Sequence, residues 1–434
     1  MKALFTGLLA AALLAGCAGS NPGSSSAPSN AVVGGIELVA SHAGHLSGTP
    51  ADASSAGQAV DAFGLDLYRA TAGGSKQNLV VSPASIALAL AMARAGAAGA
   101  TAAEMDKVLH DLGTDAHAGW LASLDAALNA RTGSFPDGMG KSQDVTLRVV
   151  NTNFAQRGLA LQPAFLDALA TRLGAGVRLV DYKTAPEAAR RLINGWVSDQ
   201  TEQRIRELLG QGTIDELTRL VLVNAIYLKA AWQAPFDESA TVPARFTTID
   251  GATPDVPTMH MSEELRYASG AGWQAVELPY VGGKLAMDVI LPADLRAFDA
   301  SLDATLLASI VGGLAETQVI LSLPRFKAET HVDLSKTLAG LGMPTAFTDA
   351  ADFSGITKDE QLQITAVIHQ ANIDVDEHGT TAAAATAVVV GRTSLPANQA
   401  TMTVDHPFLF ALRDLETGAL LFLGRITDPA ATAG

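Results

Sequence analysis

The rhythm of apolar residues divides the chain into helices first and strands later. Residues 59–69 carry apolar spacing that suits an opening helix. Residues 78–81 form a short apolar strand that runs into Ser82-Pro83, a capping residue followed by proline at the first helical position. From 84 to 95 the residues are almost all Ala, Leu, Ile and Met, so this helix has no broad polar face and should lie buried beneath a sheet. Thr101 and Glu104 make a capping-box pattern for a third helix reaching Leu109. Residues 133–142 are polar and Gly-rich and predict a loop. Residues 145–155 predict a strand containing Asn151 and Asn153, and 164–173 and 186–197 predict helices.

Residues 219–232, RLVLVNAIYLKAAW, are nearly all apolar apart from Asn224, the pattern of a central strand buried on both faces. After Phe246 strand signals dominate, at 273–278, 285–291 and 318–323, with a short helix at 334–341. An extended segment follows at 363–375. Residues 408–412 and 419–424 read as a strand pair joined by the polar turn 414–418. There is no internal repeat and no composition break, which points to one intertwined α+β domain.

One stretch fits neither class. Residues 377–394, EHGTTAAAATAVVVGRTS, mix helix-favouring alanine with strand-favouring threonine and valine. Extended, it would place Thr380, Ala382, Ala384, Thr386, Val388 and Val390 on one face, all small or β-branched. Such a face could enter a sheet without overpacking it; an Ala-rich helix or a linker is the plainer alternative.

Composition narrows the function. The 434 residues are 48% hydrophobic, ample for a large core. The net charge of −15 with no basic run argues against a nucleic-acid partner and against a heparin-like activator. No GxSxG, HExxH, P-loop or GxGxxG motif occurs, so nothing frames a nucleophile, a metal or a nucleotide, and no cofactor is implied. At the N-terminus Lys2 precedes an apolar run over 8–14 that ends in Leu14-Ala15-Gly16-Cys17. It is a secretory signal too short to span a bilayer. Cys17 is the one cysteine, which excludes an intramolecular disulfide. Its placement resembles a bacterial lipoprotein signal. The segments expected are a signal peptide over 1–16, a lipidated Cys17 with a flexible tether over 17–50, and one domain over 51–434. The Ser, Gly, Pro and Ala of 18–30 suit such a tether. The protein would cross the inner membrane and be anchored by lipid, in the outer membrane facing the periplasm or the cell surface.

From about Val60 to Pro429 the chain resembles the serpin family. NLVVSPASIALALAMARAGA (78–97), LVNAIYLKAAWQAPF (222–236), ADFSGI (351–356), HQANIDVDEHGT (369–380) and DHPFLFALRD with GALLFLGRITDP (405–429) occur in that family's order and spacing. The resemblance implies the serpin fold, three β-sheets with eight or nine helices and an exposed reactive-centre loop, here at about 377–400. It implies a monomeric suicide-substrate inhibitor of serine proteases without turnover of its own. Once a target protease cleaves the loop, the loop's N-terminal part inserts as a strand into sheet A. The alternatives are a non-inhibitory member acting as a binding or structural module, or a trap that also takes papain-like cysteine proteases.

Residue by residue, the resemblance makes Glu377, Gly379, Thr380, Ala382 and Ala384 the hinge. Ser82, Ser85, Asn224 and His369 match the shutter, and Trp232 the breach where insertion begins. The residues themselves suit insertion: 380–390 carries no charge and no proline. Thr381 stands where many inhibitory relatives have Glu, on the face expected to meet solvent. The family's usual spacing from Glu377 places the scissile bond at Thr393–Ser394, while the basic residue Arg392 offers Arg392–Thr393. Arginine would suit trypsin-like proteases, threonine elastase-like or subtilisin-like ones.

Overall fold

The computed structural model describes residues 29–380 and 399–431. Strands β1 (Ser29–Val33) and β2 (Ile36–Ala40) form a hairpin, and α1 (Pro50–Ala72) follows a capping box of Thr49 and Asp52. Then come β3 (Leu79–Val81), α2 (Pro83–Arg94), α3 (Gly99–Val108), α4 (Ala118–Asn129), β4 (Gly133–Pro136), β5 (Ser142–Gln156), α5 (Pro163–Leu173), β6 (Val177–Val180), α6 (Pro186–Gln200) and β7 (Leu220–Ala231). The second half holds β8 (Val242–Arg245), β9 (Asp255–Gly270), β10 (Trp273–Pro279), β11 (Leu285–Pro292), α7 (Leu295–Ser301), α8 (Ala304–Gly313), β12 (Ala315–Pro324), β13 (Phe326–Asp333) and α9 (Ser335–Leu341). It closes with β14 (Ala366–Asp376), β15 (Gly379–Thr380), β16 (Gln399–Thr403), β17 (Phe408–Asp414) and β18 (Leu420–Ile426).

The strands form two hydrogen-bonded networks. The first runs β1-β2-β6-β5-β7-β15-β14-β13, with β4 attached to β5. The second runs β16-β12-β9-β10-β11-β17-β18-β3, with β8 attached to β9. The expected three sheets merge into two networks because β9 is long enough to serve two. Its first part pairs with β8 and β12, and its last residues pair with β10.

The first network, sheet A, positions the site. Its central strand β7 alternates Leu220, Leu222, Ile226 and Leu228 into the main core with Val221, Val223 and Ala225 into the layer under α6. Both faces are therefore apolar and both are covered. Every residue from Pro83 to Ala93 of α2 is buried beneath this sheet, as a helix with no polar face requires. On the opposite face α6 presents Ala189, Ile193 and Val197. Trp196 meets Phe154 edge-on and lies under Arg178.

Local patterns misled in five places. Thr101 lies inside α3, whose cap is Ala98; its hydroxyl accepts from the Asp352 amide, and Glu104 binds Thr345. Both side chains serve tertiary contacts rather than the helix end. The loop expected at 133–142 is the β4–β5 hairpin, closed by Asp137 accepting the Met139 and Lys141 amides. Two helices, α7 and α8, interrupt the strand series and start on Asp294 and Asp303 caps. Helix α4 carried no sequence expectation. The stretch expected as a tether to residue 50 contains β1 and β2, and β2 adds to the edge of sheet A at β6.

Candidate functional site

β14 ends at Asp376, turns through Glu377 and His378, and returns as β15 between β14 and β7. Val375 faces Thr380 and Asp376 faces Gly379 on one side; Ala230 faces Thr380 and Ala231 faces Gly379 on the other. A two-residue turn has thus started a new antiparallel strand at the top of sheet A. Gly379 is essential to this approach. Its φ is +150°, and a Cβ there would lie 2.1 Å from the Ala230 carbonyl oxygen.

The seat for this strand is built of aromatic rings and one ion pair. Thr380 is buried, and its Oγ1 lies 2.5 Å from the Tyr280 hydroxyl. Tyr280 stacks on Trp232 with centroids 4.4 Å apart. The Trp232 indole donates to the Asp376 carbonyl at 2.9 Å, and its amide donates to the His378 carbonyl at 2.8 Å. The Phe236 amide donates to the Glu377 carbonyl at 2.9 Å. Glu377 is buried with Arg325 Nε at 2.8 Å, and it also accepts from the Thr241 hydroxyl. Burial opposes its ionisation, but the bonds from Arg325 and Thr241 outweigh burial and hold the carboxyl below its ordinary range.

Below β15 the seam is open and then closed. β7 and β14 pair with each other, in parallel, only over residues 221–226 and 366–371. Between that zone and β15 lies a cavity of about 180 Å³, lined by Ile226, Tyr227, Asn372, Ile373 and Asp374 of the two strands and by Arg204. Asn372 Oδ1 is buried without a hydrogen-bond partner among the described residues.

The closed zone carries a polar cluster. His369 and Asn224 face each other across the seam, with Nδ1 2.6 Å from Asn224 Oδ1. The Ser82 amide donates to His369 Nε2 at 3.2 Å, so Nε2 accepts and Nδ1 carries the hydrogen. Asn224 Nδ2 donates to Ser85 Oγ at 2.5 Å and to Asn151 Oδ1 at 2.8 Å. Burial, reinforced by repulsion from His331, pulls the His369 pKa down to about 3, so the ring is neutral.

The structure thus brings Ser82, Ser85, Asn224 and His369 into one cluster and seats Trp232 above the cavity. The Ser82 side chain caps no helix: its amide joins the cluster while its buried Oγ has no partner among the described residues. Two participants were missed in the sequence. Asn151, one of two asparagines in the strand expected at 145–155, carried a signal. Tyr280 carried none, because only the folded chain brings it against Trp232 and Thr380. Cys17, Ala382, Ala384, Arg392, Thr393 and Ser394 lie outside the described residues. Among the described residues no cluster of His, Cys, Asp and Glu could hold a metal, and no helix is long and apolar enough to cross a membrane.

The sheet thus holds the first residues of the segment after β14 between two of its strands, above a hydrogen-bonded seam. Residues 58–429 match the family model for serpins, serine protease inhibitors, and the chain belongs to that family. It is 37% identical over 376 residues to a serpin-like protein of Thermococcus kodakarensis, covering 86% of this chain and 85% of that one. It is 36% identical over 379 residues to the leukocyte elastase inhibitor of Bos taurus, covering 85% and 97%. The crystal structure of the thermophilic serpin tengpin in its native state superposes with a TM-score of 0.78, at 27% identity, over 89% of this chain and 97% of that one.

Gly379→Ala should undock β15, raising hydrogen exchange at the Trp232 amide while leaving exchange in α2 unchanged; wild-type protection at Trp232 would contradict the close approach. His369 sets a pH dependence. The unfolded chain protonates this histidine near its ordinary range of about 6.5, whereas the folded protein does not until about 3. Stability present above the ordinary range is therefore lost progressively as pH falls toward 3. The melting temperature should drop more steeply over this window in the wild type than in His369→Gln, and parallel curves would remove the histidine from the account.

Proposed function

We propose that this serpin is an irreversible suicide-substrate inhibitor of serine proteases, trapping the acyl-enzyme as its cleaved loop inserts into sheet A. The observation that carries this is the register of β15. Continuing its pairing downward would set Ala382 between Leu228 and Ile373, and Ala384 between Ile226 and Ala371. Thr386 would then fall between Asn224 and His369, and Val388 between Leu222 and Val367. Apart from the buried polar pair Asn224 and His369, those neighbours are core residues, so uncharged side chains at 380–388 suit the path and a charge would not.

The same register explains the closed zone. A strand cannot reach Ala384 without separating β7 from β14, nor Thr386 without breaking the His369–Asn224 bond. We therefore assign Ser82, Ser85, Asn224 and His369 to the shutter, Trp232 to the breach, and Glu377, Gly379, Thr380, Ala382 and Ala384 to the hinge. Advance would also supply partners to the cavity lined by Asn372. Each new backbone hydrogen bond contributes about 1 kcal/mol net, and burial of the apolar face adds to it. The inserted state would lie well below the native one.

Kinship to leukocyte elastase inhibitors supports an inhibitor rather than an enzyme, and favours a protease pocket for small side chains. That pocket matches cleavage at Thr393–Ser394; a trypsin-like protease would cut at Arg392–Thr393. The N-terminal signal and Cys17 support a bacterial, lipid-anchored protein at the outer membrane, facing the periplasm or the cell surface.

Incubation with elastase-like, subtilisin-like, trypsin-like and papain-like proteases should give an SDS-stable complex with at least one serine protease at a stoichiometry near one. Mass analysis of the C-terminal peptide released would identify the bond cut. Cleaved protein with every protease left active would make the chain a non-inhibitory module. Thr380→Arg puts a charge against Tyr280 and Trp232 and should raise the stoichiometry at least about tenfold. Unaltered inhibition by that variant would be incompatible with insertion. Cys17→Ser should abolish incorporation of labelled fatty acid in a bacterial host; label retained by the variant would rule out this anchor.

A further inference from the structure

Resting on the insertion mechanism proposed above and deepening it, we propose that Asp137 is a positioning residue for strand entry. It holds the β4–β5 hairpin in the shape that braces both segments carrying the aromatic seat of Thr380. Trp232 and Tyr280 lie on two short segments joined side by side. One continues β7 past its end, and the other is the turn between β10 and β11. The Val281 amide donates to the Ala231 carbonyl at 3.0 Å, and the Gln233 amide donates to the Pro279 carbonyl at 2.9 Å.

The hairpin reaches both segments. Its Gly138 amide donates to the Gln233 carbonyl at 3.0 Å, so Gln233 is bonded on both sides. Its Phe135 ring packs over Gly282, where φ is +86° and a Cβ would lie 2.8 Å from a ring carbon. Only glycine admits the ring so close. At the root of the hairpin, buried Arg131 binds Asp414 and, at 2.8 Å, Glu416. Glu416 also pairs with Lys284, at the end of the same β10–β11 turn. The hairpin is thus tied to that turn at its root and through Phe135, and to the end of β7 at its tip.

The tip does not order itself, because Gly138-Met139-Gly140 offers two glycines with wide backbone freedom. Asp137 supplies the order. Its Oδ1 accepts the Met139 amide at 3.0 Å and the Lys141 amide at 2.9 Å, and its Oδ2 accepts from Gln143 Nε2 at 3.0 Å. Its own amide donates to the Lys141 carbonyl at 2.8 Å, and its carbonyl accepts the Gly140 amide at 2.9 Å. Asp137 is buried, so its removal leaves three N–H donors without their acceptor and frees the Gly138 amide beside it. A cut loop either inserts or is lost when the protease hydrolyses its ester. Insertion starts where Thr380 meets Tyr280 above Trp232. Loosening that seat slows insertion and leaves hydrolysis, which the protease performs, unchanged.

The test uses the full chain and two readouts. The first is hydrogen exchange without protease, in peptides containing Trp232 and Gln233 or Tyr280 and Val281. Protection there should fall about fivefold in Asp137→Ala and in Phe135→Ala, with exchange in α2 unchanged. Asp137→Asn keeps an oxygen for the Met139 and Lys141 amides and should stay close to wild type. The second readout uses a serine protease that forms the covalent complex. The ratio of cleaved free inhibitor to complex should rise about fivefold in the two alanine variants and not in Asp137→Asn. Wild-type protection in both alanine variants, an equal loss of protection in α2, or an unchanged ratio despite lost protection overturns the role of Asp137. In each of these cases the wild type still forms its complex, so trapping stands. A wild type that forms no complex with any serine protease removes trapping instead, and exchange alone then decides whether the hairpin braces the seat.

Discussion

Two neighbouring strands that pair over only half their length leave backbone groups without partners, and burying those groups costs free energy. β7 and β14 are such a pair. Below, they share hydrogen bonds from 221–226 to 366–371; at the top, β15 stands between them. The interval between holds a cavity and Asn372 Oδ1, which has no hydrogen-bond partner among the described residues. The rest of the molecule is arranged around this incomplete sheet. Helix α2 lies buried on its inner face and α6 on its outer face, so the seam is covered on both sides.

Opposite chemistry guards the two ends of that seam. At the closed end the His369–Asn224–Ser85–Asn151 cluster is neutral and short-range, and its strength comes from exclusion of water. A buried neutral histidine suits this place, because a charged one would have to be paired or expelled. At the top the contact is ionic, with half-exposed Arg325 holding the buried Glu377 carboxylate. The aromatic pair Trp232–Tyr280 joins the two regimes by presenting an apolar floor with one hydroxyl to the arriving Thr380.

Much of this was legible in the chain. The unbroken apolar runs of α2 and β7 required burial on all sides, and they received it. Asn224 stood out as a polar residue in a nearly all-apolar strand, whereas His369 was marked only by the serpin resemblance. Failures came where a local pattern had a distant use. Thr101 and Glu104 look like a cap but bind Asp352 and Thr345, far along the chain. The Gly-rich stretch at 133–142 is polar because it forms a hairpin beyond the sheet, not because it lacks structure. The tether reading missed residues 29–40, whose two apolar runs either side of Gly34-Gly35 carry a hairpin pattern; β1 pairs with β2, and β2 with β6.

From its residues alone the chain determined that it would bury a large core, keep an uncharged, proline-free segment at 380–390, and place few polar residues in its central strands. Those properties follow from side-chain chemistry, which each position carries with it. Where that segment starts, which strands flank Gly379 and Thr380, and which side chains meet them were decided only by the folded chain. Gly379 meets Ala230, Thr380 meets Tyr280, and His369 meets Asn224 across gaps of 100 or more residues in sequence, as with Tyr280 and Thr380, or His369 and Asn224. No periodicity encodes such encounters, because sheet register is set by the packing of whole layers rather than by neighbours along the chain.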